Sequence, residues 1–311
     1  MMPQSFLLAT TLAAAAMLPL PARATLVCEA DVASLDFGMI SGRDGQAQQT
    51  SGPVTVFCSG GTPGATVRAC MTIGPGSGGS GPGNSPRRMT GSGTAPLDYQ
   101  LTAGNTLSAG GTLWETVGYA IALDASGSAT IAPTLYAEVT SVGAQATVGA
   151  YGSRFESGPG VAMSFGESDC TQSGAASTFT VSAVVTASCT VSVSDMDFGV
   201  IDTALTAPVD QTSSIAVSCT NAAPYTIGLG PGRQPADGGP SGRRMANGGN
   251  LLAYGLYHDY ARTSEWGIGP SVATGTGTGG QQSLTVFGRI FPGQRPSVGI
   301  YSDSVVVTVT Y

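Results

Sequence analysis

Leu35-Asp36-Phe37-Gly38-Met39-Ile40 recurs as Met196-Asp197-Phe198-Gly199-Val200-Ile201, 161 residues further along a chain of 311. The same offset carries Cys28 onto Cys189, Val54-Thr55-Val56-Phe57-Cys58 onto Ile215-Ala216-Val217-Ser218-Cys219, and Pro63 onto Pro224. Order then persists while loop lengths diverge. Ile73-Gly74-Pro75-Gly76 matches Leu229-Gly230-Pro231-Gly232, Arg87-Arg88-Met89 matches Arg243-Arg244-Met245, and Val148-Gly149-Ala150-Tyr151 matches Val298-Gly299-Ile300-Tyr301. A repeat of this length is a duplicated domain rather than a short solenoid unit, and each copy can bury its own core. Module one runs from about Thr25 to Phe165 and module two from about Cys189 to Tyr311.

The pattern inside each copy has period 2. With 46 Gly, 19 Pro, 41% hydrophobic and 10% charged residues, the composition describes short strands joined by turns and polar loops. No segment sustains the i, i+3, i+4, i+7 spacing of an amphipathic helix. The expected fold class is all-β.

At the start, apolar Phe6 to Leu20 followed by Pro21-Ala22-Arg23-Ala24 reads as a signal peptide over 1–24 with an A-x-A site, although Met1 to Ser5 carries no basic residue. Cleavage after Ala24 makes Thr25 the mature start and moves the net charge from −7 to −8 by removing Arg23. No later run approaches the ~18 apolar residues of a membrane span. The acidic balance argues against a nucleic-acid partner, which clustered Lys and Arg would hold; every basic residue here is Arg.

Six cysteines allow 15 connectivities. The repeat pairs Cys28 with Cys58 and Cys189 with Cys219, leaving Cys70 with Cys170 by elimination. Such bridges point to an oxidising compartment. A metal site is the competing reading, but the chain has no Cys-x-x-Cys and one His. No cofactor is expected.

Two strand-like segments stand apart. In the first, Phe179, Val181, Ala183 and Val185 point one way, with Thr180, Ser182 and Thr186 on the other face, which suits an extended segment pressing its apolar side into a groove. Nothing equivalent precedes Cys28 after Thr25. In the second, Val305, Val307, Val309 and Tyr311 alternate with Val306, Thr308 and Thr310, a sheet edge able to pair with another chain.

Both modules resemble the spore coat protein U domain, the pilin module of archaic chaperone–usher pili. Module two carries the resemblance in Phe179-x-Val181, Asp197-Phe198-Gly199, Val217-x-Cys219, Arg244-Met245, Leu252-x-Tyr254-x-Leu256-Tyr257, Phe287-Gly288-Arg289-Ile290, Gly299-x-Tyr301-x-Asp303 and Val307-Thr308-Val309-Thr310-Tyr311. Module one keeps Asp36-Phe37-Gly38, the cysteine pair and Arg88-Met89, but has Tyr136-Ala137-Glu138-Val139 in place of the Phe-Gly-Arg-Ile stretch. The resemblance implies two tandem immunoglobulin-like sandwiches, the second lacking a strand until complemented. A periplasmic chaperone and then an adjacent pilin subunit would supply that strand, and an outer-membrane usher would assemble the fibre.

The arrangement implied is that of a two-domain tip adhesin at the cell surface: a binding domain over 25–176 and a pilin domain over 177–311, with 177–188 a linker strand able to complete the first domain. Surface attachment or biofilm formation through an extracellular surface or receptor is the expected function. A spore-coat-like structural protein and a minor pilin within the fibre are the alternatives. Features shared by both modules are assigned to the fold. Binding candidates are then the parts peculiar to module one: the loops Gly74 to Ser85, Leu107 to Val117 and Ala125 to Leu135, with Trp114 as an aromatic anchor for a surface and, competing with that, as a core residue. An enzyme is not expected. Adjacent His258 and Asp259 would face opposite ways in a strand, and Gly76 to Ser80 lacks the strand-to-helix setting of a nucleophile elbow.

Overall fold

The computed structural model describes residues 25–42, 47–91, 93, 95–139, 142–201, 204–236 and 238–311; the leader read at 1–24 lies outside them. Module one contains β1 (Val27–Val32), β2 (Leu35–Ser41), β3 (Gln48–Ser59), β4 (Thr66–Ile73), β5 (Arg87–Gly91), β6 (Leu97–Ala103), β7 (Thr112–Leu113), β8 (Thr116–Ala122), β9 (Ala129–Ile131), β10 (Thr134–Val139), β11 (Gly149–Phe155), β12 (Val161–Gly166), β13 (Gln172–Ala176) and β14 (Phe179–Thr186). Module two contains β15 (Cys189–Val193), β16 (Val209–Cys219), β17 (Pro224–Leu229), β18 (Arg244–Asn247), β19 (Asn250–Tyr257), β20 (Ala273–Thr276), β21 (Gln281–Ile290) and β22 (Val307–Thr310). The helical content among the described residues is a few three-residue 3-10 turns. The fold is all-β, two sandwiches in tandem.

In module one the pairing runs β2-β14-β11-β5-β6-β10-β3-β1-β13-β12-β4-β8, with β7 on β6 and β9 on β3. The long β3 explains how one path makes two layers: Gln48–Pro53 pairs with β10, and Val54–Ser59 turns to pair with β1. Val54, Val56, Met71, Leu101, Trp114, Phe155 and Val181 meet in the core between the layers. In module two the layers remain separate as β15-β16-β21-β19-β18 and β20-β17-β22, around a core containing Ile215, Val217, Ile227, Leu252 and Trp266.

The repeated motifs serve local geometry. Asp36 Oδ1 accepts the Gly38 N–H at 3.0 Å, and Asp197 Oδ1 accepts that of Gly199 at 2.8 Å. The glycines take φ of +68° and +72°, a region open to Gly without steric cost. Arg87 is buried, donating Nε to the Gly74 carbonyl and Nη2 to those of Ile73 and Trp114. Arg243 repeats this with Gly230, Leu229 and Trp266. The two indoles are pinned alike, Trp114 Nε1 donating to Met71 O at 3.3 Å and Trp266 Nε1 to Ile227 O at 2.8 Å.

Burying a guanidinium is expensive unless its donors find acceptors. Burial holds the Arg87 pKa down near 10, and the same cause lowers that of Arg243. Disulfides join Cys28 to Cys58 across β1–β3, Cys189 to Cys219 across β15–β16, and Cys70 on β4 to Cys170 just before β13.

Two residues, Ala187 and Ser188, separate β14 from β15. The modules also touch beside this joint, where Asn221 Nδ2 donates to Gln145 O at 3.0 Å and Val148 N–H to Asn221 O at 3.2 Å.

Candidate functional site

The two copies part company at one strand position. In module one β14 lies antiparallel to β11 from Phe155↔Phe179 to Gly149↔Val185, and parallel to β2 from Leu35↔Val181 to Ser41↔Thr186. Its partner segment β13 closes the other end of the gap, antiparallel to β12 and parallel to β1. The alternating side chains of β14 are driven inward: Phe179, Val181, Ala183 and Val185 are each no more than 2% exposed, and Phe179 stacks on Phe155 with ring centroids 4.3 Å apart.

In module two, none of the described residues takes the position of β13 and β14. The consequence reaches the flanking segments. Met196–Ile201 repeats the sequence of β2 but forms no strand, because the β2 ladder has β14 as its partner and nothing stands in for it here. The stretch 299–305, counterpart of β11, is likewise unpaired except for a bridge from Ser302 to Ala246. β15 pairs with β16 and β22 with β17, so each keeps a bare edge towards the other.

Between these edges lies a groove of about 710 Å³ lined by Val193, Met196, Phe198, Tyr254, Tyr301 and Val307, among others. Its lining includes Met196, Tyr301 and Val305, whose counterparts Leu35, Tyr151 and Phe155 lie on β2 and β11, the strands on either side of β14 in module one. Met196 and Val305 are partly buried, where their counterparts Leu35 and Phe155 are fully so. At its floor the Tyr254 hydroxyl donates to Asp303 Oδ2 at 2.7 Å, and Asp303 Oδ1 accepts the Arg233 N–H at 2.8 Å. Burial, then that hydrogen bond, push the Tyr254 phenol well above its ordinary pKa. It therefore stays neutral at any physiological pH.

The Spore Coat Protein U domain model matches residues 14–155 and again 175–308. The chain belongs to this family. Among relatives of the Spore Coat Protein U domain family, "Protein U" of Myxococcus xanthus is 35% identical over 120 residues, covering 36% of this chain and 66% of that protein, just under two thirds of its length. The tip subunit in the CsuC–CsuE chaperone pre-assembly complex, from archaic chaperone–usher Csu pili of Acinetobacter baumannii, aligns over 92% of this chain and 100% of that one. The TM-score is 0.54 at 14% identity. That likeness shows the fold. The CupB6 tip adhesin of Pseudomonas aeruginosa also aligns over 92% of this chain and 94% of that one, at 12% identity and a TM-score of 0.37.

The residues singled out in this Spore Coat Protein U domain chain fall as follows. Phe179, Val181, Ala183 and Val185 form the inner face of β14. Val305, Val307 and Val309 are partly buried and Tyr311 is exposed; of these, Val305 and Val307 line the groove. Trp114 corrects the surface-anchor reading: it is 0% exposed, clamped by the Arg87–carbonyl contact, and has no face to offer a target. Its equivalence to Trp266 was hidden because the two loops differ in length. The loop from Gly74 to Ser85 lies along the module, with Ser77 N–H on Arg154 O and Ser80 bridged to Arg87. Leu107 is 37% exposed at a 3-10 turn whose Ser108 N–H is held by Glu138, and that contact accounts for Glu138 where module two has Arg289.

The His258 ring stacks on Trp266 and contacts Ser271 O, while Asp259 accepts the N–H groups of Thr263 and Ser264, so the adjacent pair does not act together. Among the described residues no cluster of potential metal ligands occurs, and no helix is long and apolar enough to cross a membrane.

Proposed function

We propose that this chain is the tip adhesin of a fimbria built by a chaperone–usher system, and that it mediates surface attachment or biofilm formation. The observation that carries the reading is the contrast at one strand position: β14 fills in module one the place that stands open in module two. On this reading module one, completed by residues 177–188, is the binding domain. Module two is the pilin domain, and its groove takes first a strand of the periplasmic chaperone and then one from the adjacent subunit. Strand addition suits the site because the unpaired segments 196–201 and 299–305, counterparts of β2 and β11, and the bare edges of β15 and β22, counterparts of β1 and β12, offer main-chain hydrogen bonds, and the groove supplies pockets for alternate side chains. Export through the periplasm to the fibre tip also accords with three disulfides and no free cysteine among the described residues.

The test is coexpression of the full chain with its cognate chaperone and usher. Copurification with the chaperone, loss of that complex on Val307→Asp/Val309→Asp substitution, and immunogold labelling at fibre ends are expected. Labelling along the shaft would refute the tip assignment, and unchanged copurification of the substituted chain would refute the groove.

A further inference from the structure

The inner face of an inserted strand follows from the groove, but the two copies also differ on the outside. In module one the outward residues of β14 each sit in a row across three strands. Thr180 donates through its N–H and Oγ1 to Ser34 Oγ at 3.1 and 3.2 Å and has Arg154 opposite on β11. Ser182 Oγ donates to Asp36 Oδ1 at 3.0 Å. Val184, 41% exposed, stands between Met39 and Ala150.

The repeat transfers these rows to module two. The Ser34 position becomes Asp195 and the Arg154 position Ser304, so the first row gains an anion and loses its cation. Asp197 keeps the place of Asp36. In the third row Val200 and Ile300 replace Met39 and Ala150, both almost wholly exposed on either side of the open position. Neither apolar side chain has a neighbour on that face to cover it until a strand arrives, and directly opposed side chains on one sheet face interact.

Resting on the strand-acceptor reading above, we propose that module two selects its occupant on the outward face as well. The occupant is an extended segment of a second protein that carries a cationic residue beside Asp195 and, four residues further on, an apolar residue between Val200 and Ile300. Its inner face repeats the large–medium–small–medium series of Phe179, Val181, Ala183 and Val185. The hydroxyl at the position of Ser182 meets Asp197.

The experiment uses the full chain and synthetic peptides spanning residues 172–186, with binding read by fluorescence anisotropy. A Thr180→Arg peptide should bind about two- to fivefold tighter than the parent at low salt, and an Asp195→Asn chain should erase that gain. A Val184→Asp peptide should bind about tenfold more weakly, and Val200→Ser in the chain should reduce that difference. Equal binding by the parent, Thr180→Arg and Val184→Asp peptides would overturn the outward-face selection and leave the acceptor groove intact.

The same substitutions placed in a strand fused after Tyr311, read as melting of module two, give a second format in which insertion is intramolecular. Absence of binding and of any melting change in both formats would overturn the selection together with the groove reading.

Discussion

Ile40 and Ile201 are the same residue at the same place in the repeat, and the structure gives them different energetic weights. Ile40 is 1% exposed on β2, paired with Val185 of β14; Ile201 is partly exposed in a segment without a strand partner. Truncating a fully buried Ile to Ala costs about 2–5 kcal/mol, the lost transfer energy plus the cavity left behind. Ile201 keeps part of its side chain in solvent and lies in a segment with no strand partner, so truncation leaves less of a cavity. With roughly 1.5–3 kcal/mol for a full aliphatic side chain, its truncation should cost about 1–2 kcal/mol. The two substitutions should therefore differ by about 1–3 kcal/mol in the modules that carry them. Hydrogen exchange by mass spectrometry along a denaturant series resolves each module in the full chain and gives both values at once. Equal losses for Ile40→Ala and Ile201→Ala would refute the reasoning, because they would mean that the flank of the open position is already packed as tightly as β2.

Phe179→Ala removes a ring stacked on Phe155 in the completed sandwich and should destabilise module one by about 3–5 kcal/mol while leaving module two unchanged, measured by the same exchange series. Arg243→Met removes the donors held by the carbonyls of Gly230, Leu229 and Trp266, and thermal unfolding should show a loss of about 2–4 kcal/mol in module two, with Arg87→Met doing the same in module one. Asp210 is held below its ordinary pKa chiefly by its bidentate hydrogen bonds from Arg289, with Arg262 adding to it. Its folded value is depressed, so the stability it contributes is present above the unfolded value near 4 and is lost as pH falls through the folded one. Acid titration of module two should therefore show a drop below about pH 4 that Asp210→Asn removes.

The duplicated fold was legible because its determinants are local. The Asp-Phe-Gly turn needs a short acceptor and a residue that tolerates positive φ two places on, and the paired cysteines need facing strands, so both survive as readable motifs. The clamp made by Arg87 and Trp114 was not legible, since the guanidinium meets carbonyls from two other parts of the chain and the matching Trp266 sits after a loop of different length. Composition therefore left Trp114 open to two readings, and the hydrogen bonds decide it. β13 was missed too. Gln172-Ser173-Gly174-Ala175-Ala176 carries no alternation, and it becomes a strand because β1 and β12 offer edges on both sides.

The sharpest case is the repeated Asp-Phe-Gly segment. Leu35–Ile40 and Met196–Ile201 share their pattern, yet one lies in a strand and the other does not. The difference is a partner 146 residues away in sequence, a non-local cause that no window of either segment contains.

The central claim is that module two is a sandwich with one strand position open to insertion. The direct measurement compares the full chain with the same chain extended after Tyr311 by a copy of residues 166–186 bearing Cys170→Ser, which reproduces the connection from β12 through β13 to β14. The inserted copy buries its Phe, Ala and two Val side chains and pairs the unpaired flanks, so module two should gain stability. Module two should then melt higher, by about 4 °C for each kcal/mol gained, with amides at 191–201 and 298–305 newly protected from exchange. Unchanged melting and unchanged exchange at those amides would contradict the account.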